Sequence, residues 1–98
     1  MSLDPKARAE QLRHAVLDFL CSRQPIAYDP ERMLARINKS RFLDFVPEPD
    51  ECIAALTFLS NFTPEPLIAI RRDGLGSTLF YQATSAGVLA WERGTFTP

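Results

Sequence analysis

Near the start of the chain, hydrophobic positions recur with the period of a helix. Four apolar residues follow the spacing i, i+4, i+7 and i+8 and so form one stripe: Leu12, Val16, Phe19 and Leu20. Asp4 followed by Pro5 is typical of a helix start, because Asp caps well and proline suits the first position. Pro25 disfavours helix in the residue before it, so we predict that this helix ends near Arg23.

A second helix is predicted to begin at the same signal, repeated as Asp29-Pro30, and to run to about Asn38. The short apolar stretch of residues 26–28 lies between the first two helices. Prolines bound this stretch, which predicts a small edge strand.

A third helix is predicted from Pro49, or just after it, to Asn61 or Phe62. Asp50 and Glu51 in its first turn complement the helix dipole. Its wide apolar face comprises Cys52, Ile53, Ala55, Leu56, Leu59 and Phe62.

The last third of the chain changes to a strand-like pattern. Two β-like runs, Leu67–Arg72 and Thr78–Ala83, are joined by the glycine-bearing link 73–77, which predicts a hairpin. Thr84 or Ser85 can then cap a short helix from Ala86 to Glu92, ended by Gly94.

The order of these elements is helix, short strand, helix, helix, hairpin and short helix, which is the order of a winged helix-turn-helix. Tyr81–Gly87 resembles the end of the wing in bacterial winged-helix regulators, where a strand ending in an aromatic residue meets a Thr cap and a helical Gly. Asp50–Leu59 resembles their third helix, with its alanine pair and apolar anchor. We therefore expect an α+β fold, a single winged-helix domain over residues 1–98. The resemblance implies a DNA-binding transcriptional regulator or accessory factor, with its third helix in the major groove of duplex DNA.

Composition places the chain among globular proteins, with 46% hydrophobic and 23% charged residues. Residues 1–10 carry early charge and lack an apolar signal core, so we expect a cytoplasmic protein. Cys21 and Cys52 are predicted to be buried free thiols. His14 is the one histidine, and no nucleophile has an evident base, so the sequence predicts neither an enzyme nor a metal or other cofactor.

Charge is unevenly distributed along the middle of the chain. Residues 30–45 carry four basic and two acidic side chains, whereas residues 46–65 carry four acidic and no basic ones. Two clusters of basic residues could hold phosphates on either side of a groove. One cluster comprises Arg32, Arg36, Lys39 and Arg41, and the other comprises Arg71 and Arg72. An ordinary solvated face is the alternative interpretation.

If Ile53, Leu56 and Leu59 face the core, an outward stripe of the third helix supplies the base-facing candidates: Ala54, Thr57 and Asn61. This helix contains no Arg or Lys, and its acidic first turn would meet phosphates unfavourably. That conflict keeps open a second hypothesis, a winged-helix module that binds protein and not DNA.

Aromatic residues suggest where such a partner would dock. Phe42, Phe45 and Trp91 are candidates for a partner surface, although the two phenylalanines are expected more often to fold back onto the core. By analogy with terminal helices that pair subunits, Leu12–Leu20 with Val88–Trp91 is a candidate homodimer surface.

Overall fold

The computed structural model describes residues 4–72, 76 and 78–94. Most of the predicted link 73–77 therefore lies outside the described residues. The elements are α1 (Pro5–Ser22), α2 (Pro30–Ile37), α3 (Pro49–Ser60), β1 (Ile68–Arg72), β2 (Leu79–Ala83) and α4 (Ser85–Arg93). The predicted α+β class and the order of helices and hairpin strands are confirmed.

Local side-chain chemistry starts each helix. The side chains of Asp4, Asp29 and Thr84 each accept a hydrogen bond from a backbone N–H in the first turn of α1, α2 and α4. The third helix starts with a capping box, in which Oε1 of Glu51 accepts from the backbone N–H of Glu48 at 3.0 Å. Because these contacts are formed within the first turn of each helix, the observed helix starts agree closely with those predicted from the sequence.

The two strands pair antiparallel, with Ile68 opposite Ala83. The predicted short strand at 26–28 does not form as a strand, and only an isolated β-bridge at Tyr28 is present. Tyr28 N–H donates to the Tyr81 carbonyl at 2.9 Å, and Tyr81 N–H donates back at 2.8 Å. Consequently β2 has backbone partners on both sides, whereas within the described part of the chain β1 forms an edge.

One hydrophobic core joins helices and hairpin. Its most deeply buried large side chains are Leu12, Val16, Leu17, Leu20, Met33, Ile37, Cys52, Leu56, Leu59 and Ile68. No polar or charged side chain among the described residues is buried in it. The expectation that Ile53 faces the core is wrong, since it is 47% exposed. It lies beside the buried stripe of α3, which Leu56 and Leu59 continue.

Both cysteines are free and buried, as predicted. Burial raises the pKa of the Cys21 thiol to about 12 and that of Cys52 to about 11. Both side chains are therefore protonated at neutral pH and act as small hydrophobic groups. None of the helices in the described ranges has the length and apolar character that crossing a membrane requires.

Candidate functional site

Basic side chains line a cleft between the end of α1 and the end of α2. This basic cleft has a volume of about 260 Å³, and its charged lining consists of Arg23, Arg36, Lys39, Arg41 and Asp18. Four cations and one carboxylate around one opening make it a candidate anion site.

Most of the positive charge in the basic cleft is not neutralised locally. Arg36, Lys39 and Arg41 are exposed and form no ion pair with a carboxylate of the described residues. Asp18 accepts a hydrogen bond from Nε1 of Trp91 at 3.0 Å. Arg23 donates to the carbonyl of Phe19, on whose ring its guanidinium also lies. The cleft therefore presents exposed cations to solvent.

A second, larger groove of about 740 Å³ runs between α2 and β2. We call it the α2–hairpin groove. Its α2 side carries Arg32 and Arg36, and its β2 side carries Thr78 and Phe80. Because Arg36 also borders the basic cleft, the two openings adjoin.

The hairpin adds a further cation beside this groove. Arg71 is paired with Phe80 across the sheet, so the two side chains project from the same face. Its Nη1 donates to Oε1 of Gln82 at 2.8 Å, which holds the guanidinium against β2. Arg72, opposite Leu79, lies on the other face.

The structure thus brings together five of the six predicted phosphate contacts, namely Arg32, Arg36, Lys39, Arg41 and Arg71. Sequence reasoning missed Arg23, which appeared only as a helix end. Its place four residues after Phe19, at the end of the helix that precedes α2, is the signal that could have identified it.

The base-facing candidates lie apart from these cations. Ala54, Thr57 and Asn61 are exposed, as predicted, but neither the basic cleft nor the α2–hairpin groove includes a residue of α3. The Thr57 hydroxyl donates to the carbonyl of Ile53 at 2.9 Å. Helix α3 thus contributes no side chain to either opening.

Phe42 and Phe45 are half-buried and pack against the core. The guanidinium of Arg41 lies over the first ring at 5.1 Å, and that of Arg8 lies over the second at 4.2 Å. This arrangement favours the core interpretation of these rings over a partner surface. Trp91 remains 37% exposed.

The proposed homodimer surface on α1 is not available. Leu12, Val16, Phe19 and Leu20 are all buried within the chain itself. On α4, Leu89 is 46% exposed, so the closing helix does present an apolar side chain.

Comparison with protein-family models, with curated proteins and with solved structures found no match to this chain.

Proposed function

We propose that this chain is a small winged-helix DNA-binding protein, a transcriptional regulator or accessory factor, that holds the phosphate backbone with its exposed arginines and lysine. The element order supports the winged-helix layout, and so does the Tyr28–Tyr81 bridge, which places the segment before α2 beside β2. The two strands after α3 then correspond to the wing.

The observation that carries the DNA-binding proposal is the basic cleft, together with the α2–hairpin groove that adjoins it. Arg36 borders both, with Lys39 and Arg41 on one side and Arg32 on the other. Arg36, Lys39 and Arg41 have no ion pair with a described carboxylate. When such cations neutralise phosphates, counterions condensed on the nucleic acid are released, which favours binding to a polyanion.

This surface also explains how DNA could bind to a chain whose net charge is −1. The acidic residues Glu48, Asp50 and Glu51 lie at the start of α3 and line neither opening. A phosphate backbone that follows α2 and the hairpin avoids them. Thr57 and Asn61 remain the candidates for base contact on α3.

The test is a fluorescence anisotropy titration of labelled mixed-sequence DNA, as a duplex and as a single strand, at about 50 and 200 mM salt. If about five phosphates are neutralised, affinity falls by roughly two to three orders of magnitude between these conditions. The absence of binding to both DNA forms at low salt would overturn the proposal.

Two double variants localise the binding. The variant Arg36→Ala/Arg41→Ala removes two charges from the basic surface, and we expect affinity to fall at least about tenfold with a flatter salt dependence. Lys6→Ala/Arg93→Ala removes two exposed charges that line neither opening and is the matched control. Equal losses in the two variants would show that net charge, and not this surface, governs binding.

A protein-binding module is the second candidate, favoured by one observation on the acidic side. Val46 is 74% exposed and Ile53 47% exposed, and both belong to the segment that carries Glu48 and Asp50. Such a surface suits a basic, apolar partner. If no DNA binds, Val46→Ser/Ile53→Ser is the variant with which to test binding of a protein partner.

A further inference from the structure

Phe80 is an aromatic residue whose side chain does not pack against the hydrophobic core. It lies on β2 in the α2–hairpin groove, partly exposed, and is absent from the hydrophobic side chains that pack against the core. Apart from Ala35, its neighbours in the groove are polar or charged, and they include Arg32, Arg36 and Thr78. An aromatic ring among arginines is the combination by which proteins hold unpaired bases.

Helix α3, by contrast, is poorly suited to the major groove of a duplex. It contains no Arg or Lys, and Asp50 and Glu51 occupy its first turn. Glu51 is held by Arg8, but Asp50 is exposed and has no ion pair with a described basic residue. Inserting this helix between two phosphate backbones would bring carboxylates towards phosphates.

We infer that the nucleic acid bound at this surface is single-stranded, with one base stacked on the ring of Phe80; this inference rests on the proposed DNA binding. The groove of about 740 Å³ lies within the ~300–1,000 Å³ range of ligand sites and can admit a base. Stacking is tolerant of sequence, because every base has a π-face.

The surrounding charges fit this placement. Arg32 and Arg36 lie on the α2 side of the groove, where phosphates on either side of the stacked base can reach them. Since Arg36 also borders the basic cleft, the strand continues past it towards Lys39 and Arg41. Asp29 in the same groove is engaged with the backbone N–H and the side chain of Arg32, which leaves Glu31 as the groove's exposed acid.

The experiment compares a labelled single strand with the duplex of the same sequence and length by anisotropy at about 50 mM salt. We expect the single strand to bind at least about tenfold more tightly. Phe80→Ala should weaken single-strand binding by roughly tenfold or more, because one base–aromatic contact is lost. Phe80→Trp should retain the affinity.

Ile70→Ala is the matched control, since Ile70 is an exposed apolar residue of the same hairpin on the opposite face. Circular dichroism checks that each variant is folded. A further readout uses Phe80→Trp in a Trp91→Phe background, in which added oligothymidylate should quench the remaining indole fluorescence.

The outcomes separate the two proposals. If duplex and single strand bind equally well, or if Phe80→Ala binds the single strand as tightly as the wild type, the single-strand inference is wrong while salt-dependent DNA binding stands. If neither form of DNA binds, both proposals fail.

Discussion

Gly87 lies where α4 meets the chain that leads into β1. A Cβ added at this position would overlap the carbonyl oxygen of Leu67 and lie 3.0 Å from its carbonyl carbon. That carbonyl also accepts a hydrogen bond from the backbone N–H of Thr84 at 3.1 Å, so it cannot easily move. The close approach of two backbones therefore requires glycine here.

Replacing Gly87 with alanine should lower the free energy of unfolding by about 3 kcal/mol, since backbone must shift to admit a methyl group. Gly94→Ala is the comparison. Gly94 has φ of 64°, and no described residue would lie within 4 Å of an added Cβ, so its substitution should cost about 1 kcal/mol through backbone conformation. Urea denaturation of both variants measures the difference. An equal loss of unfolding free energy in the two variants would show that the close contact with Leu67 is not the reason for glycine at position 87.

For single residues, the sequence predicts helix caps well, but it predicts poorly where two distant stretches of backbone come into contact. Asp4, Asp29 and Thr84 act within their own first turns, so their roles could be inferred from neighbours along the chain. The contact of Gly87 with Leu67 joins a helix to a residue 20 positions earlier, just before β1. The exposure of Ile53 likewise depends on which neighbours pack against α3, which its helical spacing alone does not determine.

Helices α1 and α3 are joined at one end by a two-point ion pair. Nη2 of Arg8 donates to Oε1 of Glu51 at 2.6 Å, and Nε donates to Oε2 at 2.8 Å. The hydrogen bond from Arg8 lowers the pKa of the Glu51 carboxyl, and the backbone N–H of Glu48 adds to this shift. Glu51 thus both starts its own helix and fastens it to another.

This pair predicts a pH dependence of stability. The unfolded chain takes up a proton at Glu51 at higher pH than the folded chain does, so the free energy of unfolding falls as pH decreases below about 4.3 and through the lower folded pKa. Glu51→Gln keeps an acceptor for the capping box but removes the charge. We expect the variant to be less stable at pH 7, and its stability to decline less steeply in acid.

Chemical denaturation of wild type and Glu51→Gln between about pH 2.5 and 7 provides the measurement. Glu65→Gln, at an exposed acid outside the helices, is the control and should follow the wild type. Parallel curves for wild type and Glu51→Gln would contradict the assigned role of the ion pair.

The type of each element was predictable because helical or alternating spacing and turn residues are local. How the elements join was not predictable from spacing. The Arg8–Glu51 pair spans 43 positions, and the Tyr28–Tyr81 bridge connects the segment before α2 to the second strand. Such pairings arise from packing of the whole chain.

At the scale of the whole molecule, the helices and the hairpin share one core, so none of them has a separate apolar interior. We expect one cooperative unfolding transition. Far-UV circular dichroism reports the helices, and fluorescence of Trp91, the single tryptophan, reports α4. The two denaturation curves should coincide. An earlier fluorescence transition would show that α4 detaches before the core opens.

Most cations of the candidate site could be recognised in the sequence as a basic stretch. Which residues from other elements lie beside that stretch could not. Arg32, Arg36 and Lys39 share a helical spacing, which local reasoning can recognise. That Arg23 joins them, and that Phe80 faces them across a groove, follows from the tertiary fold.

The outer edge of β1 has a consequence for solubility. A strand edge without a partner can pair with the edge of another molecule, and charged side chains oppose such pairing. Arg71 and Arg72 end this strand, so the same guanidinium groups proposed for phosphate contact also discourage intermolecular sheet formation. Neutralising them would promote self-association, whereas a bound polyanion would both cancel their charge and cover the hairpin.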